Sequence, residues 1–325
     1  MSDTKLRIGI VGAGHFGRYH ALKVAASGRA ELVGIHDPDE ERARAVGWEA
    51  GAESMDFDTL LAAAYAIIIA APAEAHHALA SAALRAGKHV LVEKPIASTL
   101  VQADELAALA TERGLVLQVG HLERFSAAYG ALAGRMSRPL YIEATRIAPY
   151  KPRGTDVSVI LDLMIHDLDL ILALVDSPID SVDAVGAAVA SAHEDIANAR
   201  IRFTSGAVAT ITASRISART ERRMRLFAKD GYMAVDFANR SVTIIASGRG
   251  KPVPGVEGFG MEEISWQDQD SLAAEHAAFV ASVLDGAPVL VDAAAGRRAL
   301  AAALAVMEAM TLAQEKMRAS GLLGD

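Results

Sequence analysis

The chain has 325 residues, a formal net charge of −8 and no cysteine, with 52% hydrophobic and 22% charged residues. That length exceeds one compact core and suits two domains, and the composition is that of a globular protein rather than a disordered one. The missing cysteines exclude disulfides, thiolate metal sites and a cysteine nucleophile, and the acidic balance argues against a nucleic-acid surface.

Met1 to Lys5 shows no signal-peptide layout and leads straight into an apolar strand, so a cytoplasmic location is expected. The longest apolar runs, such as Ala62 to Ala73, fall short of the roughly 20 residues a membrane-spanning helix needs.

The first third alternates β-branched runs with alanine-rich runs. Strands are expected over 7–11, 31–36, 66–71, 88–93 and 115–120. Helices are expected over 15–27, 77–86 and 98–113, stopped by Gly28, Gly87 and Gly114. Asp37-Pro38 reads as an N-cap followed by proline at N1. This βαβ rhythm predicts a doubly wound parallel sheet of the Rossmann type. After residue 122 the pattern changes. A long apolar helix is expected over 156–175, then alternating strands over 182–190, 197–203, 208–214, 222–228, 233–237 and 241–246. The Gly/Pro-rich stretch 248–260 reads as a loop, and helices over 272–284 and 293–317 close the chain. The predicted division is 1–121 for dinucleotide binding and 122–325 for substrate binding and oligomerisation, with the last helix able to pack back on the first domain.

Gly12-Ala13-Gly14-His15-Phe16-Gly17 follows the first strand and opens the first helix. Gly12 suits a tight turn, Gly14 lets backbone approach a pyrophosphate, and Gly17 lets helix and strand pack closely. The helix N-terminus then offers free N–H groups to the phosphates. Asp37 stands about 20 residues further on, where an acid binds ribose hydroxyls. It favours NAD, whereas Arg42, five residues later, could reach the 2′-phosphate of NADP.

Glu93-Lys94-Pro95 ends a strand of the first domain, and in an open α/β sheet ligands sit beyond such ends. Asp162 and His166 stand at i and i+4 on one helix face. A carboxylate beside an imidazole fixes its tautomer and raises its basicity, which suits a general base. Asp167 and Asp169 follow as a solvated face or as interface contacts. No metal is expected: the spacing of His166, Asp167 and Asp169, or of His76 and His77, matches no zinc pattern.

Together with Ala71-Pro72, His76 and the run Gly87-Lys-His-Val-Leu-Val-Glu-Lys-Pro95, these motifs resemble the Gfo/Idh/MocA oxidoreductases across nearly the whole chain, down to Leu272-x-x-Glu275-x-x-x-Phe279. The resemblance implies a second α/β domain with an open, mostly antiparallel sheet and a homodimer or homotetramer. It implies NAD or NADP held by Gly12, Gly14, His15, Phe16, Gly17, Asp37, Ala71, Pro72, His76, Glu93 and Lys94. Lys94 would be the active-site lysine and Asp162 and His166 the Asp/His pair, with either Lys94 or His166 carrying the proton. The chain departs from the common pattern at Met164 and in Arg153-Gly-Thr-Asp-Val-Ser-Val159, which argues against the usual free-sugar pocket.

Gly120-His-Leu-Glu-Arg-Phe125 and Thr155 to His166 are similar to a subgroup, the bacterial UDP-N-acetylglucosamine 3-dehydrogenases that supply a diamino sugar for lipid A. Arg124, Arg146, Lys151 and Arg153 would then offer positive charge to a diphosphate, with Arg124 and Arg153 binding substrate beside Lys94, Asp162 and His166. The expected activity is NAD(P)-dependent oxidation of a secondary hydroxyl of a sugar or nucleotide sugar. The alternatives are a free-sugar or inositol dehydrogenase and a non-catalytic NAD-binding sensor.

Overall fold

Runs rich in isoleucine, valine and leucine become strands buried on both faces, because the alanine-rich helices between them cover both sides of the sheet. In the computed structural model, which describes residues 5–132, 134–151, 157–267 and 269–322, this part runs β1 (Leu6–Val11), α1 (His15–Ala25), β2 (Ala30–His36), α2 (Glu40–Ala50), α3 (Phe57–Ala63), β3 (Ala66–Ile69), α4 (Ala73–Arg85), β4 (His89–Glu93), α5 (Leu100–Arg113) and β5 (Leu117–Gly120). The strands are parallel in the order β2-β1-β3-β4-β5. Chain direction along the sheet reverses beside β1, so the crevice opens over the glycine turn.

Local chemistry sets the helix ends. Asp56 and Thr99 accept hydrogen bonds from the backbone N–H of Thr59 and Gln102, and Gly114 ends α5 in the left-handed region. Two expectations are corrected. The N-cap of α2 is Asp39, whose side chain accepts from Arg42 N, and not Asp37. Asp37 is turned back toward the glycine turn instead. Gly28 does not stop α1, which ends at Ala25 with Ala26 still in the right-handed region.

A short 3₁₀ turn (Leu122–Phe125) follows, then α6 (Ala127–Leu132), β6 (Tyr141–Ile147), a π turn (Ile160–Met164), α7 (Ile165–Val175), β7 (Ile179–Ala187), β8 (Ile196–Phe203), β9 (Val208–Ser214), β10 (Glu221–Ala228), β11 (Gly231–Asp236), β12 (Ser241–Ser247), β13 (Lys251–Pro252), β14 (Phe259–Ser265), α8 (Ser271–Leu284) and α9 (Ala293–Ala319). Among the described residues the second sheet has the order β13-β14-β12-β11-β10-β6-β9-β8-β7. Within this sheet, among the described residues, only β6 and β9 pair in parallel. The expected meander lacked β6, β13 and β14: the stretch 248–260 holds β13 and the start of β14. The register is set by alternation, as β6 and β9 place every second residue in the core.

The chain divides into two compact units, Met1–Ser126 with Asp270–Leu300, and Ala127–Gln269 with Ala301–Asp325. A single boundary at 121/122 leaves out Asp270–Leu300, which clusters with the first unit. Phe279 and Val280 of α8 join the buried cluster of Leu6, Ile8, Ile10 and Val24. Phe279 is fully buried, worth about 1.5–3 kcal/mol. Arg29 grips Asp285 through two hydrogen bonds of 2.7 and 2.8 Å. Val119 N–H donates to Val291 O at 2.9 Å.

Candidate active site

The glycine turn after β1 separates three requirements. Gly12 has φ of +96°, and a Cβ there would stand 2.5 Å from Ala70 O. A Cβ on Gly17 would stand 1.8 Å from Gly12 O, so this glycine lets α1 lie against the turn. A Cβ on Gly14 would meet nothing within 4 Å. Space is therefore left open in front of the N-terminus of α1, where His15 and the exposed Phe16 begin the helix. An anionic group fits there, facing free N–H groups and the positive end of the helix.

Asp37 follows β2 and is almost fully buried. Its Oδ2 accepts from Ala13 N at 2.6 Å, and its Oδ1 accepts from Asp39 N at 2.9 Å and Arg42 Nη2 at 2.6 Å. Burial pushes its pKa up, but the Arg42 and backbone donors outweigh this and hold it below the usual carboxylate range. Arg42 is thus engaged by the acid. This arrangement suits the ribose hydroxyls of NAD and opposes a 2′-phosphate.

Ala71 and Pro72 follow β3, with Pro72 at the N-cap of α4. The buried His76 of α4 lies between two carbonyl oxygens, 2.7 Å from Pro95 O and 2.9 Å from Ala71 O. It ties the turn after β3 to the turn after β4. Glu93 ends β4, and its Oε2 accepts from Lys94 N at 3.2 Å. Lys94 is half-buried and joined to Pro95 by a cis peptide bond. Arg124, mostly buried, sits in the 3₁₀ turn after β5. In the first unit the expected cofactor residues thus gather at the carboxyl ends of β1 to β4.

In the second unit, Asp162 lies in the π turn and His166 in the first turn of α7, both half-buried. The expected regular helix over 156–175 is corrected. Ile165 N–H reaches back to the Ile160 carbonyl, and Leu161 and Asp162 both donate to Ser158 O. Such widened turns recur at functional sites because they re-aim side chains within a helix. Arg146 is not a free cation for a diphosphate. It makes a bidentate, buried pair with Asp167, with Nε to Oδ2 at 2.8 Å and Nη2 to Oδ1 at 2.9 Å. Asp167 is accordingly neither a solvated face nor an interface contact. Lys151 is exposed, and Arg153 lies outside the described residues.

Sequence reasoning missed a buried group behind Glu93. His20, Glu275 and His276 each offer a ligand atom within 4.8 Å of the others. His20 Nδ1 and His276 Nε2, however, are 2.7 Å apart, whereas nitrogens sharing a tetrahedral zinc stand about 3.3 Å apart. The two histidines are hydrogen-bonded to each other and on to Glu93, while the Glu275 carboxyl is buried beside them without a hydrogen-bond partner among the described residues. Glu275 stood in the Leu272-to-Phe279 match, and His20 stands three residues after Gly17 on the buried face of α1, but neither spacing says that the two meet.

A parallel sheet with a glycine turn, an acid after β2 and a lysine after β4 defines a dinucleotide-dependent oxidoreductase. Comparison with known proteins narrows this. Residues 6–121 match the "Oxidoreductase family, NAD-binding Rossmann fold", and residues 133–234 match the "GFO/IDH/MocA C-terminal domain". The chain belongs to the Gfo/Idh/MocA oxidoreductases, and its cofactor is NAD. It is 42% identical to the UDP-N-acetylglucosamine 3-dehydrogenase of Acidithiobacillus ferrooxidans, over 94% of this chain and 97% of that one. A solved structure of that enzyme superposes with a TM-score of 0.88, with 94% and 97% of the two chains covered. An inositol 2-dehydrogenase of Rhizobium meliloti is 28% identical over 94% and 97% of the chains. Among the described residues, no helix is long and apolar enough to cross a membrane.

Proposed function

We propose that this protein oxidises a secondary hydroxyl of a nucleotide sugar, with UDP-N-acetylglucosamine as substrate and C3 as the oxidised carbon. The similarity to the A. ferrooxidans enzyme over nearly the full length of both chains carries the substrate assignment. The open space at Gly14, the Asp37 carboxylate and the turn around Lys94 support NAD on the first unit. When bound, NAD accepts the hydride. His166 takes the hydroxyl proton, and Asp162 orients His166 and favours its charged form. Lys94 hydrogen-bonds the reacting oxygen and stabilises its developing negative charge. Arg124, and Arg153 beyond the described residues, bind the diphosphate.

Absorbance at 340 nm with purified protein, NAD and UDP-N-acetylglucosamine tests this, with glucose and inositol in parallel wells. Reduction with the nucleotide sugar alone is expected. Reduction with inositol or glucose alone discards the substrate and keeps the chemistry.

The protein also works as a homo-oligomer in the cytoplasm under this reading. The second sheet supports assembly, because one face is core while the other carries the ring cluster Tyr141, Phe227 and Tyr232. A sedimentation mass near that of one 34.1 kDa chain would contradict it.

A further inference from the structure

Behind the Lys94 turn runs a chain of buried polar groups that the proposed reaction does not use. His276 Nε2 is 2.7 Å from His20 Nδ1, and His20 Nε2 is 2.9 Å from Glu93 Oε1. The other oxygen of Glu93 accepts from Lys94 N. His20 and Glu275 are fully buried and His276 nearly so. His20 belongs to α1, the helix opened by the glycine turn, while Glu275 and His276 belong to α8. A Cβ on Gly120, at the end of β5, would stand 3.0 Å from the Glu93 carboxylate, so the neighbouring strand leaves room for that group.

A carboxylate only accepts hydrogen bonds, so His20 donates from Nε2 and fixes the orientation of Glu93. His276 closes the far side of the His20 ring. Burial pushes the Glu93 pKa up, yet the His20 hydrogen bond and the charges of His20 and Lys94 outweigh it and keep the group ionised. Burial, and then the Glu93 charge, drive the Glu275 carboxyl well above its usual range. Burial, with the charge of His20, drives the His276 imidazole well below its own. The groups facing Glu93 are His20 from α1, Lys94 from its own turn and Glu275 from α8, with His276 on the far side of His20. Lys23 and Asp270 stand on the outer side of His276. The two carboxyls are pushed in opposite directions, Glu93 toward its charged form and Glu275 toward its neutral one.

We propose that His20 is a positioning residue for the lysine turn: it fixes Glu93, and Glu93 sets both the placement of Lys94 and the charge its ammonium feels. The inference rests on the role given to Lys94 above. One buried scaffold then serves the cofactor helix and the lysine together.

The test compares full-length wild type with His20→Ala, His20→Gln, Glu93→Gln and Lys94→Met, using the substrate that reduces NAD in the assay above. The readouts are NAD affinity by fluorescence titration, kcat, and the pH profile of kcat/KM. His20→Ala is expected to lower kcat about tenfold to hundredfold, the usual cost of a misplaced active-site group, with NAD affinity changed less than about twofold. In His20→Gln the amide nitrogen takes over the donation, so most of that loss is recovered. Glu93→Gln moves the alkaline limb of the profile to lower pH, because the ammonium loses its carboxylate. Equal impairment of the Ala and Gln variants at His20, or an unshifted profile in Glu93→Gln while Lys94→Met is inactive, overturns the scaffold and leaves the proposed function standing. Wild-type turnover in Lys94→Met overturns the role of the lysine and this inference with it. If His20→Ala does not fold, the Glu93→Gln profile decides alone.

Discussion

The two sheets keep their chemistry in different places. In the first, Ile67, Ile68 and Ile69 of β3 and Val90, Leu91 and Val92 of β4 are wholly buried. Strands covered on both faces have no face to spare for a ligand, so Gly12, Asp37, Ala71 and Lys94 follow the carboxyl ends of β1 to β4. In the second sheet the strands alternate buried and half-buried residues. One face is core, the other carries polar and aromatic groups, and two buried ion pairs lie on the core side. Arg146 holds Asp167, and Arg215 holds Asp195 at 2.8 Å. The residues proposed to act thus stand on loops in one unit and on a helix clamped onto a sheet in the other.

The sharpest break of that comparison is at the residue proposed to take the proton. His166→Ala is expected to lower kcat by about 10²–10⁴-fold with NAD affinity unchanged. Stopped-flow turnover and fluorescence titration on one sample read both, and loss of NAD binding would show that the residue serves the fold instead.

Next in size is the buried pair of the second sheet. Asp195 also accepts from Val189, Ala190 and Ser191 backbone N–H groups. Burial raises its pKa, and these donors with Arg215 outweigh it and hold the carboxyl far below its usual range. Asp195→Asn leaves Arg215 buried without its counter-charge, a cost of about 3–5 kcal/mol in chemical denaturation. A group depressed in the fold stabilises above its unfolded pKa and loses that stability as pH falls through the folded value. The deficit of Asp195→Asn should therefore stay constant above about pH 4 and shrink only in strong acid. A deficit that vanishes near neutral pH would mean that the pair contributes little.

The glycine turn sharpens the contrast inside the first unit. Gly17→Ala drives a Cβ into Gly12 O and should cost about 1–3 kcal/mol of stability along with NAD binding. Gly14→Ala meets open space in the protein and should leave Tm unchanged while weakening NAD about tenfold, near 1.4 kcal/mol. Equal thermal loss in both would remove the assignment of the Gly14 space to the cofactor.

The smallest effect expected is at Glu275. Its carboxyl is raised in the fold, so its contribution is complete below the unfolded value and is lost as pH rises toward the folded one. Relative to wild type, Glu275→Gln should gain stability with rising pH, by at most about 1.4 kcal/mol per pH unit. A pH-independent difference would show that Glu275 is charged in the native state.

Much of the first unit was legible because its signals are local. Gly12, Gly14 and Gly17 announce a turn through φ and close approach, and β-branched runs announce strands. Asp37 was legible as an acid after β2 but misread as a helix cap, because Asp39 offers the same side chain two residues later and only packing decides which one turns back to the glycines. Arg146 was read as charge for a diphosphate and Asp167 as a solvated or interface group, since nothing local says that β6 lies under α7. β6 itself was missed: it has no hairpin partner in sequence and pairs with β10 and with β9, far along the chain.

The sequence by itself determined the parallel sheet, the dinucleotide turn and the lysine after β4, because each is written in residues that are neighbours along the chain. Tertiary structure alone decided that α8 returns to the first unit, that Arg42 is spent on Asp37, and that His20, Glu93 and Lys94 form one connected chain backed by His276. Those contacts join residues up to 256 positions apart. Burial and hydrogen bonding act through space, and a linear pattern carries no record of which distant group will fill a cavity.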